Sequence, residues 1–365
     1  MSHSTDILII GAGVTGLAAA YNLRHTDLDM TILEARDRIG GRTWSIRTKD
    51  GAGPFDLGAA WIWSHHPHVR RLAEELGINL FLEFESGDYI IDGGPDVPVQ
   101  QVVAPDNEDY SYRLEGGAQL ICERLAACLP EELIKLNTPV QAIHSLDNLL
   151  EVETRHGHIY KTRYVLVTLP PQLALHALTY GPPLADHLQQ AMGRTQTWMG
   201  RAMKVIVRYK QPFWRSKGLS GIGISFAGPV FRFHDASTAD RSQAALFGWV
   251  TEGHPIHTVS PSDRQAAIIT QLVRMFGPEA RKPEAYLECD WTSEPYTTVP
   301  QEAGLPIGLT LYGHPLLQVP IMNGRLFWAG TETSPIHGGY LDGAVYSGEQ
   351  TARKILADAG NHSGQ

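Results

Sequence analysis

The chain opens on a short apolar run, Ile7-Leu8-Ile9-Ile10, followed by Gly11-Ala12-Gly13-Val14-Thr15-Gly16 and the alanine-rich segment Leu17-Ala18-Ala19-Ala20-Tyr21-Asn22-Leu23. A run this short and β-branched suits a strand covered on both faces, and the alanine segment keeps good helix formers together. A second apolar run, Met30-Thr31-Ile32-Leu33, ends at Glu34, so the order predicts a βαβ unit. Further strands are predicted at residues 151–154, 164–169, 203–209, 244–250 and 327–330, the second of them stopped by Pro170-Pro171. Helical spacing recurs at residues 69–76, 120–129, 263–276 and 343–357, and Gly277-Pro278 ends the third of these. Residues 87–109, rich in Gly, Pro and Asp, are predicted to be loop.

At 365 residues the chain is long enough for two domains, or for one large domain with an insertion. A hydrophobic fraction of 43% beside 19% charged residues excludes disorder, and unperiodic Gly and Pro exclude collagen and coiled coil. The net charge of −9 supplies no general attraction for nucleic acid or an anionic membrane, so neither is expected as a partner. Residues 1–6 lack the start of an export signal, no window approaches the roughly 18 apolar residues of a spanning helix, and the polar residues 361–365 make no anchor. Cys122, Cys128 and Cys289 form neither a disulfide framework nor a paired zinc motif, which points to free thiols in a reducing, cytoplasmic compartment.

Gly11, Gly13 and Gly16 form GxGxxG directly after a strand and at the start of a helix. Gly11 permits the tight turn, Gly13 admits a pyrophosphate to the backbone, and Gly16 lets helix and strand approach closely. The helix N-terminus then faces the negative charge. Glu34, at the end of the next strand, would accept hydrogen bonds from a ribose and repel a 2′-phosphate, which disfavours NADP. The register of all these parts predicts a bound dinucleotide.

The segment Glu34-Ala35-Arg36-Asp37-Arg38-Ile39-Gly40-Gly41-Arg42-Thr43 adds a glycine doublet that lets backbone close on a diphosphate, with Arg42 offering fork-shaped donors. It resembles the doublet of glutathione-reductase-type FAD proteins, specifically the flavin-containing amine oxidase family of the monoamine and polyamine oxidase kind. The resemblance continues through Asp56-Leu57-Gly58-Ala59-Ala60-Trp61, Gly116-Gly117-Ala118-Gln119-Leu120 and Thr138-Pro139-Val140. It extends over Met203-Lys204-Val205, Trp291-Thr292-Ser293-Glu294-Pro295-Tyr296 and Ala329-Gly330-Thr331-Glu332-Thr333, then Gly338-Gly339-Tyr340-Leu341-Asp342-Gly343-Ala344. Ala59 stands where the family commonly has glycine.

The resemblance implies an α/β fold: a Rossmann-like FAD domain of residues 1–75, 116–193 and 294–365, with an inserted α+β substrate domain of residues 76–115 and 194–293. It implies cofactor contacts from Gly11, Gly13, Gly16, Glu34, Ala35, Arg36, Gly41, Arg42, Thr43, Ala59, Trp61 and Val140. The C-terminal half adds Gly330, Glu332, Gly339, Tyr340, Leu341 and Ala344. Lys204, Tyr340 and Trp291 are implied in catalysis, and Gln301, His337 and Tyr340 in substrate binding. Lys204 would hold water near flavin N5, Tyr340 would form one wall of an aromatic cage, and a helix starting near Gly343 would face flavin N1. The plain alternatives are a surface strand lysine and a core tyrosine.

The activity implied is oxidation of a small amine to an imine, with hydride passing to FAD and O2 reduced to hydrogen peroxide. No cysteine lies in residues 296–301, so the FAD would be non-covalent, and Gln301 stands where a second cage aromatic is found in animal monoamine oxidases. Two alternatives stay open: an oxidase or desaturase of a non-amine substrate, like protoporphyrinogen oxidase or phytoene desaturase, and a non-catalytic GDI-like carrier. The short first substrate segment implies reduced helical cover, which a homodimer would supply. His65, His66 and His68 lack a completing acid or thiol, so no metal site is expected; capping the following helix is their simpler role. Trp198, Trp214 and Trp249 are expected on substrate-domain strands.

Overall fold

The computed structural model describes residues 2–105, 109–197, 200–299 and 312–363. Its first sheet grows from the βαβ unit. Strand Ser2–Ile10 lies parallel to Met30–Leu33 on one side and to Ile159–Val167 on the other. The strand exceeds the apolar run because Ser2 to Thr5 also pair, with Ile159 to Thr162. Ile7 and Ile9 pack on helices Val14–Leu23, Gln119–Ala127 and Leu341–Ser363, while Leu8 and Ile10 face Ala174, Leu188 and Met192 of helices Pro171–Ala177 and Asp186–Arg194. Each such side chain, fully buried, contributes roughly 1.5–3 kcal/mol. Continuous apolarity thus reports two covered faces.

The sheet runs in the order Ile134–Lys135, Met30–Leu33, Ser2–Ile10, Ile159–Val167, Leu150–Thr154, Val140–Ser145, Thr179–Gly181. The long fourth strand changes partners along its length: its first half pairs with Leu150–Thr154, and Val165 to Val167 pair with Leu326–Trp328. C-terminal chain is thereby brought beside the N-terminal strand.

A second sheet of seven strands runs in the order Ala285–Asp290, Met203–Tyr209, Ala244–Val250, Val230–Asp235, Leu219–Ser225, Asp88–Asp92, Gln100–Val102. One face, with Val205, Val207, Leu246 and Phe233, packs on Ile268, Leu272 and Met275 of helix Pro261–Phe276. That helix starts at Pro261, two residues before its predicted start, with the Ser260 hydroxyl accepting from the Asp263 N–H at 3.2 Å, and it ends at Gly277 with φ of 105°. The opposite face carries Lys204, Ile206, Phe247 and Trp249 toward the first sheet's loops, against Phe55, Leu57 and Trp291.

Three expectations need correction. Residues 87–109 are not all loop: Asp88–Asp92 and Gln100–Val102 are the last strands of the second sheet, with Ile90 and Ile91 paired to Gly223 and Ile224. Their polar ends obscure the pattern; a long-range partner supplies the pairing. Trp214 lies on the short helix Phe213–Ser216 rather than a strand, while Trp249 is on its strand and Trp198 lies outside the described residues. The histidine side chains do not cap helix Pro67–Glu75; Asp342 Oδ1 accepts the Val69 N–H at 2.8 Å instead. Among the described residues no helix is long and apolar enough to cross a membrane.

Asp235 is fully buried, its Oδ2 accepting from Trp214 Nε1 at 2.8 Å and Arg215 Nε at 2.7 Å. Its Oδ1 takes the Ser237 N–H at 2.8 Å. Asp235→Ala should destabilise the protein by about 3–5 kcal/mol, read by urea unfolding, because it strands a buried cation and two donors. A loss below about 1 kcal/mol would show that this network is not structural.

Candidate active site

Two glycine turns meet at the carboxyl ends of the first sheet's strands. Gly11 takes φ of 109°, and a Cβ on Gly16 would stand 2.1 Å from the Gly11 carbonyl oxygen. Gly40 and Gly41 also have positive φ, and Gly40 N–H donates to the Ala12 carbonyl at 2.9 Å. A Cβ on Gly13 would meet nothing nearer than Gly40 O at 3.9 Å, and one on Gly41 nothing nearer than Gly13 Cα at 3.6 Å. Gly11 and Gly16 are therefore packed, whereas Gly13 and Gly41 border open space. Helix Val14–Leu23 begins at this opening, where first-turn N–H groups have no partner within the helix.

The opening is one end of a long cleft holding about 1350 Å³ of empty space, part of it open to solvent. Glu34 lies on its wall, 4% exposed, accepting Ala12 N–H at 2.8 Å and Arg36 N–H at 2.9 Å. Arg36 ties that strand end to the Trp291 loop, donating to Glu294 Oε2 at 3.1 Å and Thr297 Oγ1 at 2.8 Å. Arg42 grips the fully buried Glu332 through both terminal nitrogens, at 2.5 and 3.0 Å. It meets the cleft as half of an ion pair, not as a lone cation.

Helix Leu341–Ser363 begins against the other end, where Gly339, Tyr340, Leu341 and Ala344 line the cleft. Its close crossing with the first helix is set by Gly348, whose Cβ would fall 2.4 Å from Thr15 O, and by Thr15 Oγ1 donating to Ala344 O at 3.1 Å. Lys204 is 2% exposed and donates from Nζ to Gly58 O at 3.0 Å, one backbone step from Ala59 in the cleft wall. Burial pulls its pKa down to about 8 against the opposing pull of Asp56 and Glu83. The ammonium also sits 4.4 Å from the Phe247 ring centre. Trp291 is buried, lines the cleft and donates from Nε1 to Leu57 O at 2.9 Å.

From Tyr340 a line of rings leads away from the cleft. Tyr340, 40% exposed, lies 5.1 Å from Trp63, Trp63 lies 5.8 Å from Trp61, and Trp61 lies 5.1 Å from Trp249. Trp61 Nε1 donates to Glu83 Oε2 at 2.8 Å. Glu83 is buried, and that burial raises its carboxyl pKa to about 7 despite Arg113 at 3.0 Å. Behind Tyr340, His66 packs at 5.1 Å and is kept neutral by burial, its pKa about 4. His337 Nδ1 lies 2.6 Å from Asp342 Oδ2.

The family model for flavin containing amine oxidoreductases matches residues 14–98 and 99–356, nearly the whole chain. The chain belongs to that family. As a family member it is a flavin-dependent amine oxidase, and its cofactor is FAD. A probable flavin-containing monoamine oxidase A of Dictyostelium discoideum is 28% identical over 463 residues, covering 97% of this chain and 98% of that one. The flavin-containing amine oxidase B of Mus musculus is 26% identical, covering 98% and 87%. Among solved structures, a wild-type putrescine oxidase bound to putrescine superposes with a TM-score of 0.85 at 23% identity, covering 98% of this chain and all of that one. Cyclohexylamine oxidase from Brevibacterium oxydans IH-35A gives 0.85 at 22%, covering 97% and 99%.

The cleft of the oxidase suits FAD in its bare glycine opening and its helix N-termini at both ends. Of the residues expected at the cofactor, Gly11, Gly13, Glu34, Ala35, Arg36, Gly41, Arg42, Thr43, Ala59, Val140, Gly339, Tyr340, Leu341 and Ala344 line it. Gly16, Trp61, Gly330 and Glu332 do not: Gly16 packs helix on strand, Trp61 turns to Trp249, and Glu332 acts through Arg42. Lys204 and His337 stand behind the wall, and Gln301 lies outside the described residues. Sequence reasoning missed Thr168, Pro170, Leu173 and Arg155 as cleft residues, and Glu83 and His234, whose burial no local pattern announces; it named His66 only as a helix cap.

Two glycine variants separate fold from ligand. Gly13→Ala should leave the melting temperature of the cofactor-free protein nearly unchanged while weakening FAD binding roughly tenfold or more, by titration against flavin fluorescence. Gly16→Ala should cost about 1–3 kcal/mol even without cofactor. Equal effects of the two variants on the FAD-free protein would contradict this assignment.

Proposed function

We propose that this oxidase converts a small amine to its imine, which water hydrolyses, and uses O2 as final acceptor with release of hydrogen peroxide. The observation that carries this reading is a buried lysine hydrogen-bonded to Gly58 O in the cleft wall together with a half-exposed tyrosine on the cleft lining. Bound FAD supplies the hydride acceptor and the site of reoxidation. The chain's own residues orient and tune. Trp63 and His66 brace Tyr340, whose ring aligns the amine. Lys204, cationic below about pH 8, disfavours a second cation nearby and so favours the neutral, reactive amine. The Asp342 carboxylate fixes His337 and the start of helix Pro67–Glu75 together, which holds the tyrosine segment in place.

The strands of residues 88–102 and 203–290, all in the second sheet, support the discontinuous division that the resemblance implies, whereas Leu80–Leu82 and Ser111–Leu114 of the piece 76–115 join Ile62–Trp63 in a separate sheet instead. The 463-residue alignment with the Dictyostelium protein exceeds this chain's 365 residues, so that relative carries segments absent here. Free Cys122, Cys128 and Cys289 favour action in the reducing cytoplasm.

Anaerobic mixing with an amine panel should bleach the flavin, and kcat/KM should rise with pH as the amine loses its proton. A flat profile across that range would overturn the neutral-amine step. Lys204→Met should still bind FAD but slow reoxidation by O2 on the order of a hundredfold. The wild-type reoxidation rate should fall as pH rises through about 8, where burial strips the ammonium of its proton, and the variant should show no such step. Unchanged oxygen kinetics would remove Lys204 from the reaction.

A further inference from the structure

The sheet face that carries Lys204 carries other polar groups that the oxidation does not use. Lys204 pairs across the sheet with Trp249, and Trp249 pairs with Arg232, so the three side chains form one row on one face. Ile206, Phe247 and His234 form the next row. With strands about 4.8 Å apart, Arg232 stands about 10 Å from Lys204. The rings of Tyr340, Trp63, Trp61 and Trp249 run from the cleft to this place. His234 is 5% exposed, stacked on Phe247, and neither ring nitrogen has a hydrogen-bond partner. Trp249 Nε1 and Arg232 Nε are also buried without partners. Such groups are costly to bury unpaired, and here three of them lie on neighbouring rows of one sheet face.

Charge decides what would satisfy them. Burial first, then the charges of Arg232, Lys204 and Arg113, keep His234 neutral, and no carboxylate offsets them there. The nearby acids are engaged: Glu83 with Trp61 and Arg113, Asp235 with Trp214 and Arg215, and Glu85 with the Ser111 hydroxyl at 3.3 Å. Arg232 makes no ion pair among the described residues, its Nε is buried without a partner, and its charge acts on Tyr89 and His234. The geometry points to a distal anion subsite, in which Arg232, His234 and Trp249 Nε1 hold a carboxylate or phosphate at the far end of an amine whose nitrogen lies by Tyr340. The substrate class is then an amine with an anionic tail, not a diamine; this rests on the amine oxidase function proposed above.

The test uses the FAD-loaded protein with pentylamine, its ω-carboxylate and its ω-amino counterpart, and with pentanoate and pentyl phosphate as unreactive probes. The aminocarboxylate should exceed the diamine in kcat/KM, and Arg232→Met should collapse that ratio roughly tenfold or more. The same variant should weaken binding of the preferred unreactive anion, read from the flavin difference spectrum, by a similar factor, with Arg232→Lys between. Whichever of pentanoate and pentyl phosphate binds tighter identifies the tail. Preference for the diamine, or anion binding indifferent to Arg232, overturns the subsite. Amines that fail to bleach the flavin while Arg232-dependent anion binding persists would overturn the oxidation and leave the subsite standing.

Discussion

The whole site depends on backbone approaching backbone without side chains between. Gly16 lies against Gly11 so closely that one added carbon would collide with its carbonyl, whereas Gly13 and Gly41, close to each other, border open space. The first contact seats the helix on the sheet; the second leaves room for a diphosphate. Close packing makes this an all-or-none condition, because a rigid interior cannot yield by an ångström to admit a methyl group. Gly348 repeats it against Thr15, which aims a second helix at the same cleft. Two helix N-termini and the ends of the parallel strands converge there, the location where open α/β sheets commonly bind ligands.

The second sheet contributes charge. Its Lys204 crosses to the Gly58 carbonyl of the cofactor side, and the cation is held between aromatic rings and the carboxylates of Asp56 and Glu83. A lysine in that position titrates near working pH because burial opposes its charge while neighbouring acids restore part of it. The same burial raises Glu83 and keeps His66 and His234 neutral. The proposed role of Lys204 and the proposed anion subsite thus draw on one group of neighbouring buried side chains.

Local pattern was a good guide wherever one face or both faces of an element bury apolar residues. Ile7 to Ile10, Met203 to Tyr209 and Ala244 to Val250 all form the strands expected of them. It failed where pairing is the only stabiliser: Gln100–Val102 is an exposed edge strand without an apolar face, and Ser2 to Thr5 join a strand only because Ile159 to Thr162 lie alongside. Trp61 illustrates the limit at the site. Its motif is legible, yet its ring turns from the cleft to meet Trp249 and Glu83, residues far away in the chain.

The amino-acid order alone determined the nucleotide turn, the acid after the second strand and the motifs that place a flavin, because glycine at fixed spacing is a steric requirement of close approach. Tertiary structure alone decided that Arg42 arrives paired with Glu332, that Lys204 is buried rather than exposed, and that Arg232 and His234 share a face with it. Those facts depend on which distant strands lie side by side. Burial and field are sums over neighbours in space, and no short stretch of chain contains them.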